Sequence, residues 1–594
     1  MAEYVYLAVV LAVALYLFWT QRVRTDVTAV LVMLSLALPW PRADGRFEPI
    51  LTYTEAYSGF GSSAVIMIAS MFVIGAAIVQ TGVAETLGLN LLRRVAKNEW
   101  QLQFAVLAVS TFVSMFINDT TVVLILLPLV LGICREHGLS PSRYLMFVAY
   151  GSLLGGQWTL IGTRSNIIVS DFLEVRTGEG IGFFDFTPVA AVVFVVAAVY
   201  LMTVGRRLLP NRPPVFSRMT TREFLTEVMV PEGSSAIGQR LFSLEPFRRQ
   251  GLTAVALLRG GRRVSRFVEL EAGDVIIVRG TVDTIGALIK SPDFKVREEV
   301  DLDESILESA ELVTVEAVVP AHSDYRGHRV NEAAFNRDYG VTVVGMARHG
   351  RPIGQRLMRT RLEFGDSLLF LGTREEVDRL RQNTDLILLD EQTFPAIGRK
   401  RAWVMLVLLG LIIGGSASGL VSAAYVIPVA ALAAILFGCI GLRSAYAAID
   451  WPTIVTLGGI IPFSLALEKT GAAAALAELV VSNFEVWGAV AVLASLLLVA
   501  AVLTQLIENA AVAIIVAPIA YQVAENTGLD GKSMLVALAI VVSSGFSTPV
   551  AHESTILVMG PGRYEFRHYL ALGSGLALLT WLVTTLVTPL VFDF

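Results

Sequence analysis

Apolar and polar positions divide the 594-residue chain into three stretches. Residues 1–209 and 402–594 are built from long apolar runs, whereas from Arg212 to Arg401 the pattern shortens to charged, alternating segments broken by Gly turns. A membrane-spanning helix needs about 20 apolar residues. Runs that meet this need lie at 4–20, 26–40, 61–81, 144–173 and 187–205, and again at 402–419, 424–442, 452–470, 532–560 and 569–591. Residues 101–133 differ, because the polar tip Asn118-Asp119-Thr120-Thr121 separates two apolar arms that are each short for a span. Polar, non-helical backbone at membrane depth persists only where protein or a wet cavity satisfies it. The pattern therefore predicts a re-entrant hairpin here and a second one over 487–526, with the tip Glu508-Asn509. The run 144–173 is interrupted by Gly155-Gly156 and by Gly162-Thr163-Arg164-Ser165-Asn166, which predicts a helix unwound in its middle.

Basic residues orient the spans, since cytoplasmic loops carry their excess. Arg22 and Arg24, then Arg93, Arg94 and Lys97, then Arg135 and Arg143, then Arg206, Arg207 and Arg212 fall on one side only if 101–133 dips in and returns. The loop 174–186, with Glu174, Glu179, Asp185 and a single Arg176, falls on the other. The expected arrangement has both termini outside, the middle stretch cytoplasmic and the second half entering from inside at Arg399-Lys400-Arg401. Each half then crosses five times, so the halves are inverted. Repeated residues agree at an offset of 390: Pro128 with Pro518, Asn118-Asp119 with Glu508-Asn509, Gly155 with Gly545. Gln80-Thr81-Gly82 and Lys469-Thr470-Gly471 match with one residue of slippage. Inverted repeats whose broken helices meet at the midplane are the plan of secondary transporters. The fold class expected is an α-helical polytopic membrane protein: an inverted repeat of five spans plus one re-entrant hairpin per half, around a central α+β cytoplasmic insert.

Composition narrows the functional class. Hydrophobic residues make up 55% and charged residues 16% of the chain, against about 25% charged in soluble domains, so the lipid bilayer is the expected partner and the plasma (inner) membrane the expected location. The N-terminus reads as a retained helix rather than a cleaved leader. A net charge of −5 offers nucleic acid no basic footprint. Cys134 and Cys439 form no disulfide framework, the six histidines lack metal-ligand spacing, and no nucleophile–base constellation occurs, so the reading is not an enzyme and needs no cofactor. Gly531-Lys532-Ser533 lacks the earlier glycine of a phosphate loop.

The motifs resemble a known family. Ser114-Met115-Phe116-Ile117-Asn118-Asp119-Thr120 running on to Leu127-Pro128, and Leu503-Thr504-Gln505-Leu506-Ile507-Glu508-Asn509-Ala510 running on to Ala517-Pro518, resemble the two Ser-Asn-Thr hairpin motifs of the divalent-anion/sodium symporters, within the ion transporter superfamily. Thr159 to Asn166 and Thr548 to Thr555, the latter followed by Gly560-Pro561-Gly562-Arg563-Tyr564, resemble that family's loops. The resemblance implies a sodium-coupled symporter of a small anion, an elevator-like motion and a homodimer. It implies a substrate and ion site at Asn118, Asp119, Thr120, Gly162, Thr163, Ser165, Asn166, Glu508, Asn509, Thr548, Glu553, Ser554 and Thr555, with sodium at Asn118, Asp119, Glu508 and Asn509. The chain departs from the pattern by placing acids at Asp119 and Glu508, losing a hydroxyl at Ala510, and carrying Thr555 where Asn is usual. Acids at membrane depth are costly and functional, so a cation/proton antiporter using Asp119 and Glu508 stands as the alternative. Arg164 suits an oxyanion contact or a salt bridge to Glu553, and His552 stands beside it without an assigned role.

The middle stretch is itself duplicated. Leu270-Glu271-Ala272-Gly273-Asp274 and Gly280-Thr281 recur as Leu362-Glu363-Phe364-Gly365-Asp366 and Gly372-Thr373, at an offset of 92. Gly251 to Val255 matches Gly340 to Val344, and helices are expected at 282–289 and 375–381. These units resemble two tandem TrkA C-terminal domains without the usual nucleotide-binding partner, which implies a regulatory small-molecule ligand and, with sodium, a lean toward sulfate over dicarboxylate. The expected domains are 1–212, 213–300, 301–395 and 396–594.

Overall fold

A computed structural model describes residues 2–20, 22–41, 47–83, 98–211, 399–419, 421–549 and 551–592, and most of 224–388. Two compact units result, one made of Met1–Arg212 with Thr393–Phe594 and the other of Pro213–Gln392. Arg93, Arg94, Lys97 and Arg212, on which part of the charge argument rests, lie outside the described residues.

In the first half the helices are α1 (Ala2–Thr20), α2 (Thr25–Ala37), α3 (Tyr53–Tyr57), α4 (Ser63–Gln80), α5 (Glu99–Ser114), α6 (Asp119–Glu136), α7 (Leu145–Gly156), α8 (Arg164–Thr177) and α9 (Thr187–Tyr200). The starts are set locally. Thr52 and Glu55 form a capping box at α3, and the Asn98 side chain accepts from the Trp100 and Gln101 amides at α5. The second half has α10 (Arg399–Ala417), α11 (Ala423–Leu436), α12 (Leu442–Ala448), α13 (Trp451–Lys469), α14 (Ala472–Phe484), α15 (Ala489–Leu503), α16 (Asn509–Thr527), α17 (Gly531–Val542), α18 (Glu553–Gly562) and α19 (Phe566–Val591). The hairpins are α5–α6 and α15–α16, and the interrupted helices are α7–α8 and α17–α18. Pro128 and Pro518 stand at the same place in α6 and α16, each removing an internal amide donor.

Two sequence expectations need correction. Helix α14 was not foreseen, because at 13 residues it is too short for a search keyed to spans. Arm length also does not define the second hairpin. Five stretches of the described residues are long and apolar enough to cross a membrane (Tyr53–Gln80, Thr187–Leu208, Trp451–Lys469, Asn509–Thr527 and Phe566–Val591), and α16 is one of them.

Glycine sets a close helix contact beside the site. A Cβ on Gly155 would lie 2.2 Å from the Thr111 carbonyl oxygen, and one on Gly151 would lie 2.9 Å from that of Leu107. Helices α5 and α7 therefore meet backbone to backbone, with Thr111 Oγ1 donating to the Gly151 carbonyl at 3.0 Å. Buried tyrosines bind the halves to each other. Tyr150 donates to the Phe546 carbonyl at 2.8 Å, while Tyr564 donates to the Ser142 carbonyl at 2.7 Å and accepts from the Met146 amide at 3.0 Å.

Among its described residues, the unit Pro213–Gln392 contains a ten-stranded sheet. Strand β1 (Phe224–Met229) pairs with β3 (Val275–Gly280), which pairs with β2 (Thr253–Arg259); β4 (Leu312–Val318) pairs with β6 (Ser367–Thr373), which pairs with β5 (Thr342–Arg348). The two repeats join where Leu225 of β1 faces Met346 of β5. Their shared Gly-Asp turn has a physical reason. The Asp274 carboxylate is wholly buried and accepts Nε and Nη2 of Arg259, both at 2.8 Å, and the Glu271 amide at 2.9 Å. Asp366 does the same with Arg348, at 2.7 and 2.9 Å, and with the Glu363 amide at 2.7 Å. Burial pushes the Asp274 carboxyl up, but the Arg259 guanidinium and the Glu271 amide together outweigh it and hold the group below the usual carboxylate range. The helix of the second repeat is Arg374–Leu380. Gly251, Thr281, Phe364, Gly365 and much of 282–289 lie outside the described residues.

Candidate functional site

Four helix starts meet where the breaks are. Asp119 opens α6 and Arg164 opens α8, while Glu508 and His552 cap α16 and α18 and Glu553 opens α18. Each helix N-terminus carries about half a positive charge from unpaired amides. The acids at Asp119, Glu508 and Glu553 thus sit at the ends where a carboxylate is favoured.

Side chains join these ends across the two halves. Arg164 Nη1 contacts Glu508 Oε1 at 2.8 Å and donates to Thr453 Oγ1 at 3.1 Å, while Nη2 stands 3.7 Å from Glu553 Oε1. Thr453 in turn donates to Asp450 at 2.5 Å. Thr120 Oγ1 donates to Glu553 Oε2 at 3.1 Å. Asp119 and His552, with side chains only 2% and 3% exposed, meet at 3.1 Å through Oδ2 and Nε2. His552 Nδ1 accepts the Ser554 amide at 3.2 Å, so the neutral ring carries its proton on Nε2 and donates it to Asp119. The cluster holds four carboxylates (Asp119, Asp450, Glu508 and Glu553) against one guanidinium.

A second set of bonds is duplicated. The Thr159 hydroxyl donates to the Met115 carbonyl, and Thr548 donates to the Gln505 carbonyl at 2.8 Å. Each ties a hairpin turn to the loop of its interrupted helix. Asn166 Nδ2 closes the first loop on the Gly156 and Thr159 carbonyls at 3.1 and 2.8 Å. Thr555 Oγ1 stands at the second, 3.0 Å from the Pro549 carbonyl and 2.6 Å from the His552 carbonyl, with one proton to share between them. The departure from Asn at Thr555 therefore preserves the loop closure. Gly162 crosses Gly156 so closely that a Cβ on it would lie 2.5 Å from the Gly156 oxygen.

Several buried oxygens have no hydrogen-bond partner among the described residues: Ser114 Oγ, Ser165 Oγ, Asn166 Oδ1 and Ser554 Oγ. In the second half the Thr504 hydroxyl lies 2.8 Å from Asn509 Oδ1 and 2.5 Å from the Val542 carbonyl, while Asn509 Nδ2 has no partner. One hydroxyl proton cannot serve both acceptors. With the Asn509 amide turned to donate to Thr504, its oxygen becomes the free atom. Unpaired oxygens in each half are the donor chemistry of a hard cation. No cluster of three or more His, Cys, Asp or Glu suited to a metal occurs among the described residues.

The predicted residues thus separate into roles. Asp119, Thr120, Glu508 and Glu553 join the charged cluster. Asn118 accepts the Thr120 amide at 3.0 Å, and Thr548 and Thr555 hold loops. Thr163 is buried and caps α8 without a side-chain bond. Arg164 prefers Glu508 to the Glu553 foreseen from sequence. Asp450, Thr453 and the His552 pairing were missed, because nothing in spacing links positions hundreds of residues apart.

Comparison with known proteins identifies the chain's relatives. The chain is 29% identical over 625 residues to the uncharacterized transporter YfbS of Escherichia coli, covering 100% of both chains. It is 27% identical over 600 residues to the uncharacterized transporter sll0640 of Synechocystis, covering 98% of this chain and 96% of that one. It is 25% identical over 403 residues to sodium/sulfate cotransporter 1 of Chlamydomonas reinhardtii, covering 62% of this chain and 45% of that one. A family model described as citrate transporter matches residues 15–541. The protein is a transporter and not an enzyme, and it belongs to the citrate transporter family.

Proposed function

We propose that this chain is a secondary active, sodium-coupled symporter of a small oxyanion, with sulfate favoured over dicarboxylates. The observation that carries this reading is the meeting of four helix N-termini around Arg164, since aligned backbone amides and a guanidinium are anion-binding chemistry. The sodium/sulfate cotransporter relative supports both solute and ion. Asn118, Asp119 and Asn509, with the unpaired Ser114, Asn166 and Ser554 oxygens, are the groups that would hold sodium. Each half crosses the inner membrane five times in opposite senses, with both termini outside. The unit Pro213–Gln392 is cytoplasmic, consists of two TrkA-C-like domains and regulates transport by binding a small molecule. The transporter is a homodimer with an elevator motion.

The test is uptake of radiolabelled sulfate, succinate and citrate into proteoliposomes under imposed sodium or proton gradients. Saturable sulfate uptake that follows the sodium gradient is expected. A second reading, a cation/proton antiporter, is favoured by the excess of carboxylates over Arg164. It predicts sodium–proton exchange without any anion, abolished by Asp119→Asn and Glu508→Gln.

A further inference from the structure

The partners of Arg164 differ from it in one respect. Its guanidinium side chain is 8% exposed and fixed by Thr453, whereas the side chains of Glu508 and Glu553 are 25% and 49% exposed. The cation is built in, and the carboxylates are its more exposed partners. The contact to Glu553, at 3.7 Å, is beyond hydrogen-bond length, so Nη2 is only partly engaged. Next in sequence to Arg164, the buried Ser165 hydroxyl has no partner among the described residues. A carboxylate offers a guanidinium the same paired oxygens that a sulfate or a carboxylic substrate offers.

We propose that Arg164 is the side chain that recognises the transported oxyanion, and that Glu508 and Glu553 are internal occupants which the anion displaces. This rests on the anion-transport reading and deepens it. Without substrate, the carboxylates satisfy a buried cation whose desolvation would otherwise be costly. On entry, the anion takes the guanidinium, and the two glutamates turn outward. Held in this way, the site weakens its own anion affinity, so removing an internal competitor should tighten binding.

The experiment measures half-saturation for sulfate, phosphate, succinate and citrate, both by uptake into proteoliposomes and by the thermal shift each anion gives the purified full-length protein. Glu508→Gln is expected to lower the half-saturating anion concentration about tenfold, and Glu508→Gln with Glu553→Gln to lower it further. Arg164→Lys keeps the charge but loses the planar fork, and should raise it at least about tenfold. An unchanged or higher half-saturation in Glu508→Gln overturns the displacement and leaves the glutamates as braces, whatever Arg164→Lys does. Wild-type protein that neither binds nor takes up any of the four anions overturns the transport reading itself, a failure distinguishable because it precedes any variant.

Discussion

The two half-repeats share their bonds and divide their charges. Thr159 and Thr548 make the same tie to a hairpin turn, Asn166 and Thr555 close the same loop, and Pro128 and Pro518 interrupt the same helix. At the tips the halves part. Arg164 stands where the second half has Glu553, Asn118 where it has Glu508, and Thr163 where it has His552. Every charged contact built from these positions runs between halves: Arg164 to Glu508, Arg164 to Glu553, His552 to Asp119. A duplicated scaffold is kept by local bonds that each copy makes alone. The charges became unlike, and that unlikeness bonds one copy to the other.

The comparison is broken most severely at the position where its charges are opposite. Arg164→Ala leaves Glu508 at the site without its cation and is expected to cost about 3–5 kcal/mol. Glu553→Ala, its repeat counterpart, removes a half-exposed group and costs about 1 kcal/mol or less. Thermal unfolding of the two variants in detergent measures the difference, and equal losses would mean that the halves are not asymmetric in this sense. Packing comes next. Gly155→Ala forces a Cβ into the Thr111 carbonyl and should cost about 3 kcal/mol, whereas Gly545→Ala meets the Ala551 methyl and the Asn509 side chain at 3.1 Å and should cost about 1. Where the halves agree, so should the variants: Thr159→Val and Thr548→Val each lose about 1 kcal/mol, and unequal losses would show that one tie matters more.

The smallest effect concerns the soluble repeats. Arg259 and the Glu271 amide hold the Asp274 carboxyl below its usual range. The stability this carboxylate contributes is therefore complete above the ordinary carboxylate range and is lost as pH falls through the depressed value. Hydrogen exchange of the Val230 amide, which donates to the Asp274 carbonyl at 2.9 Å, should quicken in acid beyond its intrinsic pH dependence. In Arg259→Gln that quickening should begin at higher pH.

Much of this was legible in the chain itself, for reasons that differ by region. Helices such as α4 and α9 write their length directly as apolar runs, and the breaks at Gly155-Gly156 and Gly162 show as small and polar residues where none should be. Repetition made the hairpins readable, since two weak tips at one offset are stronger than either alone. Helix α14 was not legible, because thirteen Ala-rich residues resemble a linker when spans are sought. The loop-closing role of Thr555 was hidden by its departure from Asn, although a hydroxyl serves the same carbonyl. The pairing of His552 with Asp119 joins residues brought together only by the crossing of halves, and one sequence carries no sign of such a meeting.

The absent side chain at Gly155 has a mechanical consequence. Two helices separated by a layer of side chains can slide, because rotamers rearrange as they go. Helices α5 and α7 have no such layer at Gly151 and Gly155, where carbonyl meets backbone, and a shift along either axis would drive oxygen into chain. The first hairpin and its interrupted helix are therefore held in register at this contact. Whatever movement carries a solute across must take its slip elsewhere, along faces lined by side chains that have somewhere to go.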